Sequence, residues 1–154
     1  MGNTAYIALG SNMGNGKENI ETALCAMESV PGITVKAVSE MYETKPWGSE
    51  EQNNFTNACA RLDSELSPEA LLGVCLGIEA GMGRVRKFRN GPRIIDIDLI
   101  IYGDEKRETK ELILPHPRMY ERDFVLVPLI DVADEVLKKE IITMIEKLKE
   151  HYVI

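Results

Sequence analysis

Apolar residues recur at two different spacings in the first third of the chain. Residues 4–9 are apolar and β-prone and lead into a cluster of Gly, Ser and Asn, which is typical of a strand followed by a loop. From Lys17 to Ser29 the apolar residues fall at helical spacing, until Pro31-Gly32 ends the pattern. Residues 33–42 alternate between apolar and polar side chains, so we predict a second, partly buried strand there.

The middle of the chain continues this order of elements. A loop rich in Pro, Gly and polar residues, 44–53, precedes a third predicted strand over 55–62. Ser67-Pro68 is typical of a helix N-cap and first helical position, and the helical spacing continues to about Gly81. A fourth strand lies within GPRIIDIDLIIYG, residues 91–103. The order β-α-β-β-α-β predicts an α+β, ferredoxin-like fold with the helices packed on one face of an antiparallel sheet.

The C-terminal part of the chain is less regular. Residues 112–133 contain apolar pieces interrupted by three prolines, whereas residues 138–150 have the pattern of an amphipathic helix. No repeat or linker divides the sequence, and 154 residues with 44% hydrophobic content suit one compact domain. We therefore predict a single domain over residues 1–154 with a C-terminal extension.

The charge and the cysteines narrow the class of protein. A formal charge of −7 disfavours binding to nucleic acid or to anionic membranes. The three cysteines are odd in number and form no C-x-x-C pair, which is typical of structural thiols in a reducing compartment. The sequence shows no targeting segment and no run of 18 apolar residues. We expect a soluble, cytoplasmic protein that binds neither nucleic acid nor membrane.

Two carboxylates stand in the most apolar stretch. Residues two apart in a strand point to the same side, so Asp96 and Asp98 lie side by side, with Cα atoms roughly 6.5 Å apart. A pair of Mg²⁺ ions about 3.5–4 Å apart would suit that spacing, and a solvent-exposed edge with salt-bridged aspartates is the alternative. We expect Ile100 and Tyr102 on the aspartate side. The opposite, core-facing side is predicted to carry Ile95, Ile97, Leu99 and Ile101.

A basic segment precedes the carboxylates. Residues 84–93 contain five cations and no acid, although acids outnumber bases by 25 to 18 in the whole chain. Guanidinium groups bind phosphate oxygens in bidentate geometry. The basic segment and the carboxylate pair together therefore favour phosphoryl transfer. No G-x-x-x-x-G-K-[ST] motif is present. A solvated basic hairpin is the alternative.

GPRIIDIDLI, residues 91–100, closely resembles the signature of the 6-hydroxymethyl-7,8-dihydropterin pyrophosphokinase family. YIALGSNMG, YETKPWG, FTNACA, GRVR and LPHPRMYERDFVLVPL resemble further family blocks in the same order, over residues 5 to about 133. The resemblance implies an enzyme that transfers pyrophosphate from ATP to the hydroxymethyl group of the reduced pterin, releasing AMP, in tetrahydrofolate biosynthesis. It also implies the ferredoxin-like fold.

The resemblance further implies roles for individual residues. Two Mg²⁺ ions are held by Asp96 and Asp98, and Asp98 is also the candidate proton acceptor. The candidate catalytic residues are Arg84, Arg93 and Asp98. The pterin pocket is formed by Thr44, Pro46, Trp47, Phe55, Asn57 and Phe124. The nucleotide is contacted by Glu79, Arg84, Arg86, Arg93, His116 and Arg122.

Without the resemblance, several of these residues have ordinary interpretations. Trp47 and Phe55 would be packing residues, Glu79 a solvated helix charge, and His116 a structural histidine. The chain also departs from the family pattern. Asn90 stands where many members carry Trp, and Lys45 replaces a common proline. Polar or aromatic nucleotide contacts are frequent at the positions of Leu76, Ile113 and Pro117.

Two other functions remain open at this point. A different Mg²⁺-dependent nucleotide transferase would use the same carboxylates on another acceptor and would bind ATP without the pterin. A non-catalytic domain with the strand order of an RNA-recognition module would touch RNA through the basic segment, although the net charge opposes this. We expect a monomer that acts on small molecules.

Overall fold

The computed structural model describes residues 2–44, 54–83, 93–117, 119 and 123–152, with the backbone alone for 123–124 and 144–152. The strands are β1 (Asn3–Ser11), β2 (Ile33–Val38), β3 (Tyr42–Thr44), β4 (Phe55–Ser64), β5 (Asp96–Tyr102), β6 (Arg107–Glu108) and β7 (Ile113–Leu114). The helices are α1 (Gly16–Glu28), α2 (Pro68–Gly81), α3 (Asp123–Val132) and α4 (Glu135–Tyr152).

The main sheet is antiparallel and has the order β2-β4-β1-β5, with β3 paired to the other end of β4. Helices α1 and α2 each begin at a side-chain cap. The Asn15 carboxamide oxygen accepts from the Glu18 N–H, and the Ser67 hydroxyl accepts from the Ala70 N–H, so α2 begins where predicted. The predicted α+β, ferredoxin-like fold is confirmed.

The predicted strand over residues 33–42 is two strands, and Ser39 accounts for the break. Its N–H donates to the Cys59 carbonyl at 2.9 Å, while its hydroxyl accepts from the Cys59 N–H at 2.9 Å. A side chain here takes the place of a backbone acceptor, which interrupts the ladder between β2 and β3. The alternation of apolar residues in the sequence does not show that a side chain will replace a backbone acceptor at this point.

Helices cover both faces of the sheet. On one face α1 and α2 pack over alternate residues of the strands, including Ile7, Leu9, Ala60 and Leu62. The predicted C-terminal extension lies on the opposite face, where Val125, Leu126 and Leu129 of α3 pack against Tyr6, Ala8 and Cys59. RNA-recognition modules bind RNA on this second, open sheet face. Because α3 covers it, the RNA-binding alternative loses its structural basis.

The aspartates lie before a bulge in β5. Ile7 pairs with Leu99 but Tyr6 with Ile101, so β5 carries one extra residue and its faces reverse beyond that point. The predicted sides of Ile101 and Tyr102 are therefore wrong. Tyr102 enters the core beneath α1 and α2, and Ile101 packs toward α3.

None of the helices in the described part of the chain combines the length and apolar character needed to span a membrane.

A hydrogen bond between Tyr42 of β3 and Asp131 of α3 predicts that the protein loses stability as the pH rises above 10. The Tyr42 hydroxyl donates to Asp131 Oδ2 at 2.6 Å, and this bond, followed by desolvation and the Asp131 charge, raises the pKa of Tyr42 from 10.0 to about 12. The folded state holds this proton more tightly than the unfolded state, so the stabilisation is present below pH 10 and is lost as the pH rises to 12.

We expect Tyr42→Phe to remove that part of the pH dependence. Urea unfolding midpoints of wild type and variant, followed across the same pH range, measure it. The wild-type advantage should shrink with rising pH, and two parallel curves would contradict the assignment.

Candidate functional site

Gly10 of β1 stands between two candidate binding residues. It pairs with Asn57 of β4 on one side and with Asp96 of β5 on the other. Since neighbouring strands lie about 4.8 Å apart, the backbones of Asn57 and Asp96 are separated by roughly 10 Å. A Cβ atom at Gly10 would lie 3.4 Å from Asn57 Oδ1 and 3.9 Å from Phe55 Cδ1. The three residues form a row across the sheet whose centre has no side chain.

The predicted pterin residues that can be described cluster at the β4 end of this row. Thr44 of β3 pairs with Phe55, and the Asn57 amide nitrogen donates to Thr44 Oγ1 at 2.9 Å. Asn57 is only 5% exposed, so this bond fixes its orientation. Pro46 and Trp47 lie outside the described residues.

Phe124 is placed near the same end by its backbone. It lies in the first turn of α3, and the carbonyl of the next residue, Val125, accepts from the Cys59 thiol at 3.6 Å. Cys59 is two residues from Asn57 on β4 and faces the same side of the sheet. The start of α3 therefore borders the row.

The predicted metal pair occupies the β5 end. Asp96 pairs with Gly10 and Asp98 with Ala8, so the two carboxylates share one face of the sheet, as predicted. The Asp96 side chain is 24% exposed, so part of it is in contact with solvent. In the described ranges no three His, Cys, Asp or Glu side chains come together as a metal site. A two-carboxylate set of this kind suits Mg²⁺, which commonly takes its other ligands from water and substrate phosphates.

Arg93 lies beside the carboxylates with an unused donor. Its Nη1 is 3.3 Å from Asp96 Oδ2, and its side chain is 19% exposed. The Nε atom is buried and has no hydrogen-bond partner among the described residues. A buried donor of this kind requires an acceptor, and a phosphate oxygen would satisfy it. Three other predicted nucleotide residues, Arg84, Arg86 and Arg122, lie outside the described residues.

A cleft of about 340 Å³ adjoins the row on the far side of β5. Glu79, Asp96, Asp98 and His116 all line it. The His116 N–H donates to the Ile100 carbonyl at 2.8 Å, which holds residues 110–117 against the edge strand. The remaining lining residues are Leu72, Leu76, Ile97, Leu99, Lys110, Glu111, Leu112, Ile113 and Pro117. The structure thus gathers both carboxylates and two predicted nucleotide residues around one cleft.

Glu79 corrects an interpretation made from the sequence. As an acid on a helix it looked like a solvated charge, yet it is 5% exposed, and its carboxylate accepts from the Ile97 N–H at 2.7 Å. That N–H lies between the two aspartates on the edge strand. Glu79 therefore joins α2 to the strand that carries the carboxylate pair.

The buried cysteines take no part in this chemistry. All three thiols are free, and Cys59 and Cys75 are buried. Burial, followed by the charges of Glu79 and Asp98, raises the pKa of Cys75 to about 12, so it stays a neutral thiol. Burial likewise raises the pKa of Cys59.

Sequence reasoning missed two residues of this site. Gly10 and Asn12 were interpreted only as turn formers after the first strand. Gly10 instead ends up inside β1, and Asn12 is buried against Arg93. The available signal was a glycine and an asparagine directly after an apolar strand, a place where binding residues are often found.

Comparison with known proteins identifies the family. The model of the 7,8-dihydro-6-hydroxymethylpterin-pyrophosphokinase (HPPK) family matches residues 6–134. The chain belongs to this family. Three curated relatives are named 2-amino-4-hydroxy-6-hydroxymethyldihydropteridine pyrophosphokinase. The Methylorubrum extorquens protein is 46% identical over 86% of this chain and 84% of its own length. The Bacillus subtilis protein is 43% identical over 90% of this chain and 83% of its own length. The Haemophilus influenzae protein is 38% identical over 98% of this chain and 96% of its own length.

Solved structures support the HPPK fold. A crystal structure of an HPPK-DHPS protein in complex with substrates matches all of this chain with a TM-score of 0.70 at 18% identity. Plasmodium falciparum HPPK-DHPS matches with a TM-score of 0.68 at 16% identity. The chain spans 45% and 44% of these two proteins. At this identity the likeness concerns the fold alone.

Proposed function

We propose that this chain transfers the β,γ-pyrophosphate of ATP to the hydroxymethyl oxygen of 6-hydroxymethyl-7,8-dihydropterin, releasing AMP, in tetrahydrofolate biosynthesis. One observation carries the proposal beyond family membership. The row Asn57–Gly10–Asp96 sets residues suited to a heterocycle beside the carboxylates that line the cleft. A volume of 340 Å³ falls in the range of small-molecule sites.

We assign two Mg²⁺ ions to Asp96 and Asp98. When bound there, the ions supply Lewis-acid neutralisation of the phosphate oxygens. The two-residue period of β5 places both carboxylates on one face of the sheet. Glu79 accepts a hydrogen bond from the Ile97 N–H and so fixes the backbone between them. The acceptor hydroxyl loses its proton as its oxygen bonds to the β-phosphorus, and the bond from that phosphorus to the oxygen retained by AMP breaks. Asp98 is the candidate carboxylate to receive that proton.

The arginines provide positioning and electrostatics. Arg93 would direct its buried Nε toward the phosphates while Asp96 orients the guanidinium. Arg84, together with Arg93 and Asp98, completes the proposed catalytic set. Arg86 and Arg122 are assigned to the nucleotide from the family pattern. Glu79 and His116 would bind the rest of ATP from the two walls of the cleft.

The pterin would lie at the β4 end of the row. Thr44, Asn57, Phe55 and Phe124 are assigned to it, with Pro46 and Trp47 from the preceding loop. A flat ring suits the aromatic faces, and the amide of Asn57 can read the ring edge. The absence of a side chain at Gly10 leaves room between this pocket and the carboxylates.

We expect Asn57→Ala to impair pterin binding selectively. The KM for the pterin should rise about 10- to 100-fold, because the site loses a hydrogen-bonding group that reads the substrate, while the KM for ATP changes little. Steady-state kinetics with each substrate varied in turn measure both values. Asn3→Ala, an exposed position at the other end of the sheet, is the matched control. Equal rises in both KM values would contradict the assignment.

The assay that tests the function is AMP release from ATP and Mg²⁺ with and without the pterin. The proposal expects AMP only when the pterin is present. ADP as the product, or AMP release independent of the pterin, would instead support a different nucleotide transferase. We further propose that residues 1–154 act as a single domain, as a monomer in the cytoplasm.

A further inference from the structure

The main chain of Arg93 is held by two hydrogen bonds with Asn12, one to the Asn12 side chain and one to the Asn12 main chain. The Arg93 N–H donates to Asn12 Oδ1 at 2.7 Å, and the Asn12 N–H donates to the Arg93 carbonyl at 3.0 Å. Asn12 follows the last residue of β1, and the regular pairing of β1 with β5 ends at Gly10 and Asp96. The two bonds therefore extend the strand pairing past the row, at the point where Arg93 enters the site.

The turn that carries Asn12 is itself hydrogen-bonded to helix α1. Asn12 is 4% exposed. The Asn19 amide nitrogen donates to the Met13 carbonyl at 2.7 Å and to the Ser11 hydroxyl at 3.0 Å. A buried side-chain oxygen that accepts a hydrogen bond, on a turn bonded to a helix, holds its donor within narrow limits.

The position of Arg93 has chemical consequences. Its guanidinium must reach Asp96 with Nη1 while Nε stays buried and available to an acceptor. Both requirements depend on where the Arg93 backbone lies, since Asp96 is only three positions further along the chain. A displacement of about 1 Å can reduce catalysis by about 100-fold.

We propose that Asn12 is a positioning residue of the transfer reaction, which acts by holding the Arg93 main chain so that the guanidinium meets the phosphates beside Asp96. This inference rests on the proposed function. It assigns no contact between Asn12 and either substrate. The effect of Asn12 therefore passes through Arg93, and removing Arg93 should abolish it.

We expect Asn12→Ala to lower kcat about 10- to 100-fold and to change both KM values less than about threefold. The matched control is Asn15→Ala in the same turn, which removes the cap hydrogen bond from the Glu18 N–H at 3.1 Å and touches neither Arg93 nor the row. Both variants should lower the melting temperature by about 2–4 °C, and only Asn12→Ala should lower kcat.

A double-mutant cycle with Arg93→Ala gives the decisive readout. If Asn12 acts through Arg93, then Arg93→Ala and the double variant should have the same kcat within about twofold. Full additivity, or an unchanged kcat in folded Asn12→Ala, would overturn the inference. Should Asn12→Ala fail to fold, Asn12→Ser provides the same test, because its shorter hydroxyl cannot reach the Arg93 N–H. An inactive but folded wild-type chain would overturn the proposed function, and with it this inference.

Discussion

Replacing both strand carboxylates, Asp96→Ala with Asp98→Ala, is expected to lower pterin-dependent AMP release by about 10³-fold or more. The metal ions proposed for this pair would contribute several kcal/mol of charge stabilisation, and each 1.4 kcal/mol corresponds to a factor of ten in rate. The measurement is initial AMP release at saturating ATP and pterin, over a series of Mg²⁺ concentrations. Both aspartates lie at the cleft, so the loss should occur without a large change in stability.

Two sets of variants separate the charge of these residues from their shape. Asp96→Asn and Asp98→Asn keep the side-chain volume and should each still lose most of the activity. Asp104→Asn, at an exposed turn just beyond the far end of β5, removes one carboxylate without approaching the cleft and should leave kcat unchanged. A doubly substituted chain that kept about a tenth of the activity, with the same Mg²⁺ dependence, would rule out the metal assignment.

The second large effect is expected at Arg93. Arg93→Ala should lower kcat by about 10²–10³-fold, which is typical for loss of one preorganised charged or hydrogen-bonding group at a developing charge. Arg93→Lys should recover only part of this, because an ammonium group lacks the planar fork that binds two oxygens.

The control for Arg93 is another arginine with acidic partners. Arg107 pairs with Glu69 and Glu105, both at 2.8 Å, and none of these three residues lines the cleft. Arg107→Ala should leave kcat and both KM values unchanged, since exposed ion pairs contribute little. If Arg93→Ala were as active as Arg107→Ala, Arg93 would have no part in phosphate binding.

Local signals in the sequence were sufficient for most of the framework. Ser67-Pro68 predicted the start of α2, because an N-cap and a proline act within one helical turn. The alternation of β5 placed Asp96 and Asp98 on one face, because a strand has a period of two until something interrupts it. The β-α-β-β-α-β order was then enough to indicate the fold.

The errors in the fold share one physical cause, which is contact with distant residues. The bulge in β5 depends on pairing with Tyr6 and Ile7, and the break at Ser39 depends on Cys59. The burial of Glu79 likewise depends on the Ile97 N–H, 18 residues away. Nothing in the local composition of these segments distinguishes them from a regular strand or an exposed helix face.

The candidate site was only partly predictable for the same reason. Family blocks assigned Asn57 and Asp96 to two ligands, but their placement on either side of Gly10 is a property of the strand order β4-β1-β5. Asn12 had no recognised role until its bonds to Arg93 were visible. Leu76 and Ile113 depart from the family pattern, and both line the cleft assigned to ATP.

The most direct test of the central claim follows the β-phosphorus of ATP. The chain would be incubated with Mg²⁺, the reduced pterin and ATP labelled at the β-phosphorus, and the products would be separated. Transfer of a pyrophosphate group predicts that the label appears in the pterin product and that the nucleotide product is unlabelled AMP. Label retained in ADP, with a single phosphate on the pterin, would contradict the account.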